Sequence, residues 1–581
     1  MSDAPRAATM TEFLPFDRRF LAADHDFSVI GEGEIGGKAH GLAFIKRILA
    51  EKLPAERFAP IVVGIPKLTV ITTQYFDLFM EENRLYDFLE EEHSDERIAH
   101  EFQRAELSPM LVGDLWSLVS QTRTPLAVRS SSLLEDALAR PFAGIYETKM
   151  IPNNQPDPNV RFQKLIEAVK FVYASTFFQT AREYMRATGI EPHQEKMAVI
   201  IQEVIGERFG ERFYPVISGV GRSYTYYAFG GAKPEDGVVN LALGLGKTIV
   251  DGGTSWTYSP RLPRSNPPYN SLRQLLDETQ KTFWAVNMGR PPAHDPIKET
   301  EYLSAAALAD AEYDDNLRLV ASTYDGANDR LEMGTAGAGP RAITFAPLLV
   351  GRVLPLNEVI SELLAIAKES LSADVEIEFA ATLPKNGPIR FGFLQVRPMV
   401  VSREAVEIDD AEMSGDRVLL SSASVLGNGI HEDLRHIVYV KPDTFSLALS
   451  TKVAAELATI NRALVEAGQP YLLIGFGRWG SSDPWLGIPV TWGQIGGART
   501  IVEAMLEDMN VDLSQGSHFF HNINAFQVSY FSVRDPEKRI DWSWLAAQPT
   551  WKEKSFVRCV ALNAPLCVKV DGRRSRGVIL K

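Results

Sequence analysis

Two periodicities organise the chain. Apolar positions three to four residues apart mark helices, and strict alternation marks strands. After a run of glycines, Ala43–Leu53 (AFIKRILAEKL) carries the helical spacing. The segment IVVGIPKLTVITTQYFDLFM predicts a strand followed by a helix capped at Thr72-Thr73. Residues 84–121 alternate acidic and apolar positions at helical spacing, the mark of a solvated helix face. Residues 160–187 are helical again, and their aromatic stripe of Phe171, Tyr173, Phe177 and Phe178 reads as core. Met197–Ile205 predicts a buried strand that leaves through a polar edge at Gln202 and Glu203, and Tyr214–Val220 predicts another strand. The Pro-rich residues 258–269 read as a surface loop, and 270–340 mix helical and strand patterns.

The clearest alternation lies at Asp374–Ala380 and Phe391–Pro398, two strands joined by the turn LPKNGP. Period two puts Glu376 and Glu378 on one face, and Gln395, Arg397 and Phe393 on one face of the partner. Pairing the strands gathers two carboxylates, an amide oxygen and a guanidinium on one surface. Such a surface suits magnesium with nucleotide phosphates, and it equally suits a plain cross-strand ion pair. Helices and strands of both kinds make the fold class α/β (α+β).

Composition narrows the field. The 581 residues are 45% apolar and 23% charged, enough for two to four ordinary globular domains. Sixty Lys and Arg against 74 Asp and Glu give a net charge of −14, which argues against a general nucleic-acid binder. Cys559 and Cys567 are too few for a disulfide framework, and no CxxC pattern occurs, so a reducing cytoplasm is the expected setting. The first twenty residues lack the apolar core of a signal peptide, and no run of about 18 apolar residues predicts a membrane span.

Two further stretches carry chemistry. Gly31–Leu42 (GEGEIGGKAHGL) sets glycines and Lys38 before a helix, an arrangement that brings anions to helix NH groups, although the Walker spacing is absent. Ala127–Thr148 (AVRSSSLLEDALARPFAGIYET) delivers Arg129 and Ser130, Ser131 and Ser132 to a strand end. The arginine offers a fork for phosphate, the hydroxyls can bond neutrally or cap a helix, and Gly144 lies in a small-residue turn open to close approach.

These blocks together resemble a known family. VRSS, Glu135-Asp136, Phe142-Ala143-Gly144 and Glu147-Thr148 are similar to the N-terminal nucleotide-binding domain of phosphoenolpyruvate synthase and pyruvate phosphate dikinase. Rifampicin phosphotransferases and glucan water dikinases share that domain. GGKAHGL resembles its opening motif about 90 residues earlier, and EIEFA with LQVRP resembles its closing motif. The resemblance implies an ATP-grasp fold of two lobes with an additional C-terminal α/β domain. It divides the chain into a lead-in at 1–25, a nucleotide-binding domain at 26–405 and an accessory domain at 406–581. It implies ATP and Mg2+ as cofactors. Lys38, Arg129 and Arg397 would act on the phosphates, with Gly144 and Thr148 beside them. Gln202, Glu203 and Val204 would hold adenine at the hinge. Glu378 and Gln395 would bind the metal, with Glu376 at the family's first acidic position.

The chain departs from the pattern in places. Lys247 follows Leu243-Gly244-Leu245-Gly246 where the family carries glutamate. The phosphohistidine and pyruvate-barrel parts are not recognisable after residue 400, and about 180 residues are fewer than a (β/α)8 barrel needs. His518 in SQGSHFFHN is followed by bulky phenylalanines and reads as structural. Gly427-Asn428-Gly429 beside His431 reads as a turn at a domain junction. Arg478 among glycines, with Trp479 and Trp485, reads either as an anion pocket with an aromatic wall or as a packing turn. The expected activity is transfer of phosphoryl from ATP to a small molecule or to a phosphocarrier histidine on another chain. The alternatives are a non-catalytic ATP sensor and an ATP-grasp ligase. Neither nucleic acid nor membrane is an expected partner.

Overall fold

The structure is a computed structural model that describes residues 14–18, 26–133, 144–188, 190–225, 231–251, 253–265, 272–399, 406–481, 485–505, 528–534, 536–572 and 574–581. The motif residues Glu135, Asp136, Phe142 and Ala143, and the string around His518, lie outside the described residues.

A first six-stranded sheet runs in the order Leu14–Pro15, Phe27–Ile30, Leu68–Ile71, Met197–Glu203, Leu126–Ser132, Thr148–Ile151. Helices Thr73–Glu82, Asp95–Arg104, Pro109–Gln121 and Pro158–Ser175 bury their apolar faces with this sheet, and Phe171, Tyr173, Phe177 and Phe178 are core. Thr72 does not cap its helix as expected. Its side chain makes no cap bond and donates instead to the Glu32 carbonyl at 3.0 Å, which ties the glycine loop to the sheet.

A second six-stranded sheet runs Trp256–Tyr258, Val238–Ala242, Ile217–Arg222, Val375–Ala381, Ile389–Pro398, Ile61–Gly64. Val375, Ile377, Phe379 and Ala381 alternate onto its core side, where helix Leu356–Leu371 adds Val359, Ile360 and Leu363. Helix Gly36–Lys52 serves both lobes. Its Ala39 and Leu42 pack with Leu68, Val70 and Ile200 of the first sheet, while Ile45 and Leu49 join the second core.

The predicted hairpin forms, with Glu376 opposite Arg397 and Glu378 opposite Gln395. The register then shifts so that Phe379 faces Phe393, leaving Leu394 as the extra residue of a bulge. Phe393 consequently does not share the face of Gln395 and Arg397. It stands in the core with Phe379 and Phe391. The reason is burial: Phe391 and Phe393 must point inward while Gln395 and Arg397 point to the cleft, and only a one-residue slip lets positions of equal parity face opposite ways.

A four-stranded sheet (Leu303–Ala307, Thr282–Asn287, Arg212–Tyr214, Glu207–Phe209) carries a loop, residues 288–302, that reaches back to the first lobe. Lys149 fastens it. The ammonium donates to the carbonyls of Asp295 at 3.2 Å and Lys298 at 2.5 Å, and it pairs with Glu301 at 2.7 Å. Lys164 donates to the Tyr302 hydroxyl at 2.9 Å.

Beyond residue 417 a nine-stranded sheet contains four parallel neighbours, Gly429–Val440, Tyr471–Phe476, Ala498–Met505 and Ser529–Arg534, with helix Ser450–Glu466 as a crossover. Gly427 and Asn428 join two strands of this sheet, Val425–Leu426 and Gly429–Val440, so the expected junction turn belongs to the sheet itself. Trp479 is no ligand wall. It is 1% exposed, its indole NH donates to the Val502 carbonyl at 3.1 Å, and its ring fills the space beside Gly475. Trp485 is exposed. Apolar packing runs without a break from the first lobe into this sheet, which places residues such as Phe76, Leu165, Leu473 and Phe531 in one core. At the seam, helix Gln179–Thr188 lies against the Trp492–Gln494 turn so closely that a Cβ on Gly493 would come within 2.7 Å of the Glu183 Cβ.

Candidate nucleotide and metal site

The site begins with a glycine. Gly36 opens the long helix at φ +76°, and a Cβ there would lie 1.7 Å from the Ser131 carbonyl oxygen. Only glycine allows this approach. It lets Ser131 cap a helix that starts almost a hundred residues earlier, donating to the Ile35 carbonyl at 2.8 Å and accepting from the Ala39 NH at 3.1 Å. The three serines are fully buried, so their hydroxyls hold the loops together and do not line the cleft surface. Lys38 Nζ donates to Ser130 Oγ at 3.1 Å, which brings the glycine-loop lysine beside the strand that carries Arg129.

Arg129 joins the lobes. Its Nη1 donates to the Leu394 carbonyl at 3.0 Å and to Gln202 Oε1 at 3.2 Å. Its Nη2 donates to Gln395 Oε1 at 2.9 Å and lies 3.9 Å from Glu378 Oε2. The Leu394 bulge is what presents that carbonyl to the arginine. Thr148 stands opposite Arg129 in the neighbouring strand, and Gly144, exposed at φ +66°, precedes that strand.

On the second sheet Arg397 pairs with both acids, contacting Glu378 and holding Glu376 Oε1 at 2.9 Å. Glu376 Oε2 is met by Arg222 Nε at 2.6 Å. No motif pointed to Arg222. Its only signal was an arginine at the end of an otherwise apolar strand pattern. Three guanidiniums (Arg129, Arg222, Arg397) thus stand against two carboxylates (Glu376, Glu378), a surplus of positive charge where phosphates would lie.

At the hinge, the backbone NH groups are already committed. That of Glu203 donates to the Lys67 carbonyl and that of Val204 to the Pro125 carbonyl, each at 2.9 Å. Gln202 Nε2 is buried with no hydrogen-bond partner. Val204 and Met150 pack in an apolar group with Phe213 and Leu245. A cavity of about 730 Å3 on the outer side of the glycine loop, lined by Gly31, Gly33, Gln74 and Tyr75, includes none of the arginines.

Lys247 does not leave a loose cation by the cleft. It pairs with Glu299 at 2.7 Å and Asp251 at 2.9 Å. Burial opposes its charge, yet the two carboxylates outweigh burial and raise its pKa above the ordinary lysine value. Beside it, burial reinforced by Glu299 pushes Glu147 up to about 8, against the opposing pull of Lys247.

Magnesium takes hard oxygen donors, usually one or two carboxylates completed by phosphates and water. Glu378 and Gln395 fit that demand, a carboxylate and an amide oxygen at directly facing ladder positions. Both are held by arginines whose own natural partners are phosphates. Among the described residues no group of three or more His, Cys, Asp or Glu could hold a metal by itself.

Residues 32–416 match the family described as pyruvate phosphate dikinase, AMP/ATP-binding domain. The chain is similar to a phosphoenolpyruvate synthase of Aeropyrum pernix, 26% identical over 239 residues, which is 38% of this chain and 25% of that protein. It is also similar to a rifampicin phosphotransferase of Streptomyces sviceus, 29% identical over 133 residues, or 23% of this chain and 13% of that protein. The matched region spans a quarter or less of each relative.

Proposed function

Because the chain belongs to the pyruvate phosphate dikinase AMP/ATP-binding domain family, we propose that it is a magnesium- and ATP-dependent phosphotransferase of the phosphoenolpyruvate synthase and pyruvate phosphate dikinase type. The observation that supports this most is the meeting of Arg129 with Gln202, Leu394, Gln395 and Glu378, across segments hundreds of residues apart. Lys38, Arg129 and Arg397 would hold the phosphates, Gly144 and Thr148 would border them, and Gln202, Glu203 and Val204 would border adenine. Glu378 and Gln395 would hold magnesium. The metal, when bound, would neutralise phosphate charge. The chain's own residues would position the terminal phosphoryl group and stabilise it electrostatically, the main contributions expected for this chemistry. The acceptor is a small molecule or a histidine of another chain.

The test is incubation of the full chain with labelled ATP, magnesium and candidate acceptors, followed by mass analysis of the nucleotide. AMP with phosphate would mark a dikinase route and ADP a simple kinase. ATP binding without any turnover would favour a sensor, the reading to which the Lys247 exchange lends weight. No binding of ATP at all would end both.

A further inference from the structure

The cavity of about 730 Å3 on the outer side of the glycine loop has the make-up of a ligand site. Its floor is apolar: Ile30, Ile35 and Tyr75 are each no more than 6% exposed, and Leu78 and Met110 continue the surface outward. Small-molecule pockets have this size and this character, with a few polar groups that fix orientation. Here three of those groups are carboxylates, Glu32, Glu34 and Asp114, and among the described lining residues there is neither lysine nor arginine. Arg18, outside the lining, meets one of the three, Asp114, at 2.5 Å. Burial and then the Asp114 charge raise the pKa of Tyr75, so its phenol stays a neutral donor beside that acid. The cavity is therefore opposite in sign to the arginine-rich cleft, and a phosphate is the wrong ligand for it.

The loop between the two spaces is pinned from the cavity side. The Glu32 NH donates to Gln74 Oε1 at 2.7 Å, the Thr72 hydroxyl to the Glu32 carbonyl at 3.0 Å, and the Glu34 NH to Thr73 Oγ1 at 3.2 Å. It runs on into helix Gly36–Lys52, whose opening turns bring Lys38 to Ser130 and set His40 in the cavity wall. We propose that this cavity is a second ligand site, for a small organic cation with an apolar or aromatic body, coupled to the nucleotide site through the glycine loop. The cation answers the carboxylates, and the body covers the floor of Ile30, Tyr75 and Leu78. Occupation stiffens the loop that presents Lys38, so the two ligands favour each other. Only the coupling rests on the nucleotide-binding reading above.

Titration of the full chain with phenethylammonium, followed by ligand-observed NMR, tests the site, with phenylpropionate as an anionic control of similar shape. The cation should bind in the millimolar range expected of so small a ligand, and the anion should not. Glu34→Gln, at an exposed side chain, should weaken the cation about 2- to 5-fold, the scale of one solvent-exposed charge. Leu78→Lys, which sets a positive charge in the cavity, should abolish binding; if it fails to fold, Glu34→Gln and the anionic control decide. Calorimetry with saturating phenethylammonium should show Mg-ATP bound about 5-fold more tightly, and Mg-ATP should tighten the cation by the same factor. No binding of the cation, equal binding of both probes, or binding that neither variant alters overturns the site. Displacement of the cation by ATP overturns it as well, and an ATP affinity that the cation leaves unchanged overturns the coupling. A chain that binds the cation and ignores ATP keeps the site and sinks the nucleotide reading instead.

Discussion

Burial separates residues that their motifs place side by side. Glu378 is 13% exposed by its side chain and Arg397 1%, though they touch. Glu378→Ala should abolish turnover with little change in melting temperature. Arg397→Ala should abolish turnover and also destabilise by about 3–5 kcal/mol, because it strips one partner from the buried Glu376; denaturant titration of both variants separates the two effects. Gly36→Ala is the severest small change available, since it combines a positive φ with a 1.7 Å collision against backbone. The expected outcome is loss of folded protein on expression, and a melting curve like that of the unaltered chain would refute the packing described around Ser131.

Among elements, the loop at 288–302 is the joint most open to test. Lys149→Met leaves Glu301 buried without its cation and should cost about 3–5 kcal/mol in urea unfolding. Glu147, which feels Glu299 of the same loop together with Lys247, gives a pH signature. Its pKa is raised from 4.5 to about 8 in the folded chain, so the protonated form belongs to the fold. Its contribution is intact at and below pH 4.5 and is lost as pH climbs through 8. Glu147→Gln should therefore match the unaltered chain near pH 4.5 and exceed it in melting temperature by a margin that widens toward pH 8. The element pattern was readable where the two faces of a strand differ in polarity: the Glu376/Glu378 and Gln395/Arg397 strands were legible from alternation, although both faces are buried. The bulge at Leu394 was legible too in principle, since Phe391 and Phe393 share parity with Gln395 and Arg397 but not character. Arg222 and the Ser131 cap were not, because contacts between distant segments leave no local period. Thr72 misled for the same reason, its hydroxyl being claimed by Glu32 from another segment.

At the scale of the whole molecule, the two major cores differ in membership. One joins the first lobe to the C-terminal sheet, and the other belongs to the second lobe with part of helix Gly36–Lys52. Mg-ATP seated between the lobes should stabilise both by about 2.7 kcal/mol at a hundred times its dissociation constant, and so raise their melting temperatures further as its concentration climbs. Scanning calorimetry without nucleotide should resolve a transition for the second lobe apart from the rest, and nucleotide should merge them. Because the close contact at Gly493 belongs to a common core, the tail is masonry and not a hinged arm. On the proposed activity the acceptor has to travel to the cleft, since the described strands after residue 417 are mortared into the core of the first lobe.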